Sequence, residues 1–320
     1  MAKEILTGRK WQVNKSKAEK IKSLLLEKGG KQEKVNSPYE IWRIRLEDVI
    51  FTYYSSKTLY STPTKRDTPE VINAWEEINK IAGSLYVPLK REFAIGLDET
   101  NKGELFGPLF LIGLFIPKNL FPFLEEIIST VDTKKNHNLS YWQEFYKKIL
   151  FYKEAGLTFI GKKISPQLID KYKINYLMDI GYLTILKKLI KDKDLKNLRI
   201  TIDDYGVGKN LKNFLTDLAK RGTEIIIKKN ADEKYLEVKT ASLIAKFFRE
   251  KFFSQIKGNP EYQIENLTMG SGNLNDKETI EWLKNWYEKY KEFPWFVRKS
   301  YLPVQKILGI KEKVKKISPN

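Results

Sequence analysis

The 320-residue sequence contains no cysteine and only one histidine. Without cysteine there are no disulfide bonds and no thiolate metal sites, so oxygen ligands are the expected metal chemistry. The sequence has no run of about 18 apolar residues, so no membrane-spanning helix is expected. The N-terminus, MAKEILTGRKW, lacks the apolar core of a signal peptide. A cytoplasmic location is therefore the default expectation.

Acidic residues are scarce relative to basic ones: 40 Asp and Glu stand against 58 Lys and Arg, a formal net charge of +18. This imbalance favours a polyanionic partner, because each neutralised phosphate releases counterions. A lysine-rich surface that binds nothing would give the same imbalance, so charge alone only favours nucleic acid. The hydrophobic fraction of 42% supports a packed core, and the length suggests about two domains.

The first compositional block predicts a small α+β module. Helical spacing of apolar residues indicates a helix over Lys17–Lys28, with Ser16 as its N-cap. Alternating apolar and polar residues then predict antiparallel strands joined by a tight turn at Ser55-Ser56-Lys57. A second amphipathic helix is expected to begin at Pro69.

The second block alternates strands with helices, which indicates a mixed α/β sheet. A largely helical stretch is expected in its middle, and the C-terminal third is predicted to be helical and aromatic. The predicted strands are Phe93–Leu97, Leu109–Ile116, Leu198–Asp203 and Glu224–Lys229.

Carboxylates follow three of these strands. Asp98-Glu99 ends one strand, Asp203-Asp204 ends another, and Asp232 lies just beyond a third. In an open α/β sheet, ligands bind in the crevice beyond the carboxyl ends of the strands. A cluster of such carboxylates requires cations, and oxygen ligands suit Mg²⁺ or Mn²⁺. Two ions about 4 Å apart would support phosphodiester hydrolysis.

Each acidic site also has a simpler interpretation when it is taken alone. Asp98-Glu99 would serve as a solvated loop pair, Asp203-Asp204 before a glycine is a common turn signal, and Asp232 would serve as a helix N-cap. Only their shared position at strand ends favours a metal site.

Four segments in order resemble the type 2 ribonucleases H, and ribonuclease HIII more closely than HII. They are DETNKGELFGP (98–108), VDTKK (131–135), ITIDDYG (200–206) and TASLIAKFFRE (240–250). ISPQLID (164–170) and SYLPVQK (300–306) are similar to further family segments, and FTYYSSKTLY (51–60) resembles the small TBP-like domain of ribonuclease HIII.

The resemblance implies a ribonuclease H-like mixed sheet flanked by helices, preceded by a small α+β TBP-like domain. The implied limits are 1–84 for a TBP-like substrate-binding domain, 85–92 for a linker, 93–312 for the catalytic domain and 313–320 for a basic tail. The implied partner is an RNA/DNA hybrid duplex, and a monomer without a protein partner is expected.

The implied reaction is two-metal-ion hydrolysis of the RNA strand of that hybrid, leaving 5′-phosphate and 3′-hydroxyl ends. The implied cofactors are two Mg²⁺ or Mn²⁺ ions. The carboxylates carried over as catalytic and metal-binding are Asp98, Glu99, Asp203 and Asp232. The implied substrate contacts are Asn101, Lys102, Gly103, Thr133, Lys134, Ser242 and Lys246.

Two other functions stay open from the sequence: a nucleic-acid-binding protein without catalysis, and another metal-dependent nuclease that acts on DNA. Asn101-Lys102 replaces a Gly-Thr pair of the family, which leaves recognition of the ribose 2′-hydroxyl and the use of single embedded ribonucleotides undecided. The only histidine, His137, is expected to be a solvated loop residue, and two-metal hydrolysis needs no histidine.

Overall fold

A computed structural model describes residues 8–64, 68–84, 86–131, 137–310 and 316–317. The chain divides into two compact units, one formed by Met1–Pro88 with Pro122–Lys135 and the other by Leu89–Phe121 with Asn136–Asn320. Among the described residues, no helix has both the length and the apolar character needed to cross a bilayer.

The N-terminal unit is an antiparallel sheet with two helices packed on one face. The strands follow the order β1-β5-β4-β3-β2. The elements are β1 (Lys10–Gln12), α1 (Lys15–Glu27), β2 (Lys31–Glu33), β3 (Glu40–Leu46), β4 (Val49–Tyr54), β5 (Thr58–Ser61) and α2 (Pro69–Ala82), and α3 (Phe121–Ser129) follows later in the chain.

Strand alternation separates the two faces of this sheet. Trp42 and Ile44 of β3 are buried in the same core as Ile21 of α1 and Trp75 of α2, whereas Ile41, which alternates with them, is half exposed. This confirms the predicted helix–strands–helix pattern. The predicted N-cap Ser16 is wrong, since Asn14 caps α1 by accepting a hydrogen bond from the backbone N–H of Lys17.

The second unit is built on a mixed sheet with the order β10-β9-β6-β7-β8, in which β6, β9 and β10 are parallel and β7 and β8 antiparallel. The strands are β6 (Phe93–Thr100), β7 (Leu109–Pro117), β8 (Thr158–Ile164), β9 (Leu198–Asp203) and β10 (Glu224–Lys228). The helices are α4 (Leu139–Leu150), α5 (Pro166–Lys171), α6 (Ile174–Leu189), α7 (Lys209–Lys220), α8 (Leu236–Lys257), α9 (Lys277–Tyr290) and α10 (Leu302–Ile307).

Helices cover both faces of this sheet. Apolar residues of α6 and α7 pack with Ile95 and Leu97 of β6 in one core. On the opposite face α8 lies against β6, and it comes so close at Gly96 that a Cβ there would overlap the main chain of Glu237. The predicted mixed α/β class is confirmed. The expectation of a largely helical middle is wrong at β8, an edge strand of the sheet.

A buried ion pair fixes the first turn of α8 to β9. The guanidinium of Arg199 donates two hydrogen bonds of 2.9 Å to the carboxylate of Glu237, and the hydroxyl of Thr201 donates a third of 2.6 Å. Arg199 and Glu237 are 1% and 0% exposed. Neither charge reaches water, so each depends on the other for compensation.

We expect Arg199→Met to lower the free energy of unfolding by about 3–5 kcal/mol, because it leaves the Glu237 carboxylate buried without its cation. The double variant Arg199→Met/Glu237→Leu should recover much of this loss. Denaturant unfolding followed by circular dichroism measures both. Lys148→Met, which breaks an exposed pair with Glu144, is the control and should change stability by no more than about 0.5 kcal/mol. A single Arg199→Met variant as stable as this control would contradict the assignment.

Candidate active site

The alternation of β6 sends its two adjacent carboxylates to opposite faces of the sheet. Asp98 has the same parity as Gly96 and lies on the side covered by α8, whereas Glu99 has the parity of Leu97 and lies on the side of α6. β6 continues to Thr100, so both acids lie within the strand and not in the loop expected after Leu97. This separation reduces the repulsion between neighbouring carboxylates.

Asp98 is almost completely buried, with 7% of its surface exposed. Burial raises the pKa of the Asp98 carboxyl well above its usual range, and the charges of Glu99 and Asp203 raise it further. Hydrogen bonds from the Ser242 hydroxyl of α8 and from the backbone N–H of Glu99 oppose this shift. A negative charge on Asp98 is therefore unfavourable in this site unless a cation compensates it.

Glu99 is held by a hydrogen bond from the α6 side of the sheet. The phenol of Tyr182, which is fully buried in α6, donates a 3.0 Å hydrogen bond to Oε2 of Glu99. Burial raises the pKa of Glu99 to about 7, and the positive charge of Lys102 together with the Tyr182 hydrogen bond limits the rise. Tyr182 was not among the residues predicted for the site. Its position would have followed from projecting Glu99 onto the α6 side of the sheet.

Asp203 and Asp204 have different environments although they are neighbours. Asp203 ends β9 beside β6, and its charge acts on both Asp98 and Glu99. Its Oδ1 accepts a 2.9 Å hydrogen bond from the backbone N–H of Ala231. Oδ1 of Asp204 instead accepts the backbone N–H groups of Gly206 and Val207, which lowers the pKa of Asp204 and closes a turn.

Asp232 lies in the short 3₁₀ helix Ala231–Glu233. It directly follows Ala231, whose backbone N–H donates the hydrogen bond to Asp203. Its carboxylate makes a 3.1 Å ion pair with the ammonium of Lys239. In the described part of the chain, no three acidic or histidine side chains are gathered closely enough to hold a metal ion. The candidate donors are nevertheless carboxylate oxygens, of which those of Asp98 are buried, and oxygen ligands of this kind fit Mg²⁺ or Mn²⁺.

The loop after β6 is held by the C-terminal third of the unit. The fully buried guanidinium of Arg298 donates hydrogen bonds of 3.0 Å to the carbonyls of Lys102 and Gly107, and the Tyr301 hydroxyl donates a 2.7 Å bond to the same Lys102 carbonyl. Asn101 has φ +74°, and its side-chain amide donates to two carbonyls within the loop. The loop is thereby fixed as one piece.

The predicted substrate contacts are distributed around this loop and α8. Gly103 is exposed, and a side chain there would meet no atom within 4 Å. Lys102 donates to the carbonyl of Tyr205, and the buried Asn101 side chain is turned into the loop. Lys246 is half buried and feels the charges of both Asp232 and Asp98.

Two predicted contacts, Thr133 and Lys134, lie outside the described residues. His137 lies outside the helices and strands, as expected, but it is only partly exposed because its ring stacks on that of Tyr141 at a centroid distance of 3.7 Å.

Because the pKa of Glu99 is raised in the folded protein, the free energy of unfolding is expected to depend on pH. The folded protein holds the Glu99 proton more tightly than the unfolded chain does, so the resulting stabilisation is present below about pH 4.5 and is lost as the pH rises to about 7. Tyr182→Phe removes a bond to the charged form, so it should raise the pKa of Glu99 above 7 and extend this loss to higher pH. Each unit of pKa corresponds to about 1.4 kcal/mol.

Carboxyl titration by NMR on the metal-free protein, together with unfolding at several pH values, measures this shift. Tyr176→Phe on the same helix is the control, since the ring of Tyr176 lies against Tyr172. A Glu99 pKa unchanged by Tyr182→Phe would show that the phenol does not stabilise the carboxylate.

Comparison with known proteins shows the family to which this sequence belongs. The sequence model of the family described as Ribonuclease HII matches residues 95–304. Ribonuclease HII of Sulfurisphaera tokodaii is 31% identical over 213 residues, which cover 67% of this chain and 94% of that protein.

Solved structures agree with the fold. The crystal structure of ribonuclease H2 from Pyrococcus horikoshii OT3 is similar with a TM-score of 0.54 and 26% identity, covering 67% of this chain and 96% of that chain. The structure of Bst-RNase HIII in complex with Mn²⁺ has a TM-score of 0.54 at 15% identity and covers 96% of this chain and 100% of that chain. With the family model spanning most of the sheet and α8, the chain belongs to the ribonuclease HII family, one of the type 2 ribonucleases H.

Proposed function

We propose that this protein is an endoribonuclease that hydrolyses the RNA strand of RNA/DNA hybrids in a metal-dependent reaction, leaving 5′-phosphate and 3′-hydroxyl ends. The observation that supports the proposal is that Asp98, Glu99 and Asp203 lie at the carboxyl ends of two adjacent parallel strands, where the charge of Asp203 acts on the other two, in a chain of this family. A protein that only binds nucleic acid does not require Asp98 and Glu99 to be withdrawn from water beside the charge of Asp203.

Asp98, Glu99, Asp203 and Asp232 are the residues that would hold two Mg²⁺ or Mn²⁺ ions. When bound, the ions supply an activated water and neutralise charge on the leaving oxygen. The chain itself orients the ligands, because Ser242 bonds Asp98 from α8 and Tyr182 bonds Glu99 from α6. Such partners hold a carboxylate in one direction before the substrate arrives.

Recognition of the ribose is assigned to the loop that Arg298 fixes. Gly103 is exposed in this loop, and its backbone amide is a candidate contact for the 2′-hydroxyls displayed in the wide minor groove of an A-like duplex. The side chain of Asn101 braces the loop, so only its backbone is available for this role. Lys246 lies beside the carboxylates and is a candidate phosphate contact.

We infer a ribonuclease HIII type of organisation in which the N-terminal unit grips the substrate. Support comes from the fold likeness to Bst-RNase HIII, which covers 96% of this chain where the Pyrococcus horikoshii structure covers 67%. The proposed limits are 1–84 for this substrate-binding domain and 93–312 for the catalytic domain. The proposed location is the cytoplasm, where hybrids would be met.

Asp203→Asn and Asp98→Asn should each reduce cleavage by at least about 100-fold while hybrid binding is retained, since removing a ligand charge weakens metal capture and relieves repulsion. The matched control is Asp204→Asn, next along the chain, which should stay within about threefold because Asp204 only closes a turn. Single-turnover cleavage and filter binding measure the two effects. Equal losses in Asp203→Asn and Asp204→Asn would reject the assignment of Asp203.

Substrate class is tested with a labelled RNA/DNA hybrid, duplex RNA and duplex DNA in the presence of Mg²⁺ or Mn²⁺. Selective cleavage of the RNA strand in the hybrid is expected. Preferential cleavage of duplex DNA would replace the proposal by the DNA-nuclease alternative, and binding without any cleavage would favour the non-catalytic one.

The outer face of the N-terminal sheet is the candidate grip. Tyr60 and Arg45 alternate with core residues and are partly exposed there. Because aromatic stacking and phosphate contact both strengthen nucleic-acid binding, Tyr60→Ala/Arg45→Ala should raise the KM for hybrid about fivefold or more and change kcat by less than about twofold. Lys20→Ala, an exposed charge on α1, is the control. A KM equal to that of the control would contradict the proposed grip.

A further inference from the structure

One side of α8 carries a row of polar residues that face the acidic edge of the sheet. Lys239, Ser242, Lys246 and Arg249 follow one another at spacings of three and four residues, which places them on one face of a helix. Lys239 pairs with Asp232, Ser242 bonds Asp98, and Arg249 pairs with Glu104 in the loop after β6. The proposed function uses Ser242 and Lys246 of this row and leaves Lys239 unexplained.

The Lys239–Asp232 pair is more than a surface contact. Its N–O distance is 3.1 Å, and the side chains of Lys239 and Asp232 are 20% and 28% exposed. The ammonium donates to Oδ2, which is one of the two Asp232 oxygens that could bind a divalent ion. Its charge also acts on Lys246, whose pKa is lowered by burial and by Lys239. Two lysines therefore crowd positive charge at one end of the acidic site.

We propose that Lys239 is an internal counter-ion for Asp232, which holds this carboxylate in the metal-free protein and competes with a divalent cation for it. The inference rests on the proposed function, because it takes Asp232 as a metal ligand. The positive charge of the ammonium opposes a divalent ion at the same carboxylate, so the ion should bind Asp232 more tightly once Lys239 has moved away. Among the described residues an ammonium pairs directly with Asp232, whereas Asp98 and Glu99 have no such ion pair, although the charge of Lys102 also acts on Glu99.

A consequence of this competition is that the two metal positions differ in affinity. The position that does not include Asp232 would fill first, because among the described residues no ammonium forms an ion pair with Asp98, Glu99 or Asp203. The position that includes Asp232 would fill second and at a higher metal concentration. Lys239 would thus raise the metal concentration at which both positions are filled.

The test measures Mn²⁺ binding to the full chain without nucleic acid, by following free Mn²⁺ with electron paramagnetic resonance. Lys239→Met keeps the aliphatic stem and removes the charge, so the weaker class of Mn²⁺ sites should bind about fivefold more tightly, the effect expected for loss of a partly exposed ion pair. Lys239→Gln should shift the affinity in the same direction. Lys251→Met, an exposed lysine on the same helix, removes an equal charge and is the control.

Weaker or unchanged Mn²⁺ binding in both Lys239 variants, relative to Lys251→Met, would overturn the proposal. Melting temperatures without metal identify a variant that has lost its fold, and the remaining variant then decides the result. Asp232→Asn separates the inference from the function. If Asp232→Asn weakens Mn²⁺ binding and the Lys239 variants do not alter it, the counter-ion role fails and the metal site stands. If Asp232→Asn has no effect, the assignment of Asp232 as a ligand fails.

Discussion

The acidic side chains at the carboxyl ends of the inner strands β6 and β9 are the constraint around which the second unit is organised. A carboxylate removed from water requires hydrogen-bond donors or a cation, and its pKa rises where these are insufficient. Asp98 and Glu99 show this rise, which is limited by Ser242 on one face and Tyr182 on the other. The helices on the two faces therefore serve as donors to the acids as well as packing against the sheet.

Helix α8 carries several of the side chains that contact the acids. Its first turn is fixed to β9 by the buried Arg199–Glu237 pair, and its main chain fits against the sheet only because residue 96 is glycine. Once α8 is placed, its regular spacing puts Lys239 at Asp232, Ser242 at Asp98 and Arg249 at Glu104. A structural ion pair at one end of the helix thus helps to position the polar side chains of α8 that contact the acids.

The mixed α/β fold could be predicted from the sequence, because β6, β7, β9 and β10 are apolar segments bounded by turns and helices. The strand β8 was not predicted, because its residues TFIGKKI include a glycine and two lysines, a composition that suits the edge of a sheet. The acids were recognisable as a strand-end pattern and a family resemblance. Tyr182 and Lys239 were not, since their roles depend on which face each acid occupies.

The loop after β6 obtains its shape from residues far along the chain. Arg298 holds the carbonyls of Lys102 and Gly107 across more than 190 positions of sequence, and the backbone of Leu105 pairs with that of Gly272. During synthesis the strand with its two acids emerges long before these partners exist. Contacts of such separation form late, because the intervening chain must first be ordered. A ribosome-bound chain thus carries the acids of β6 well before the adjoining loop can take its final form.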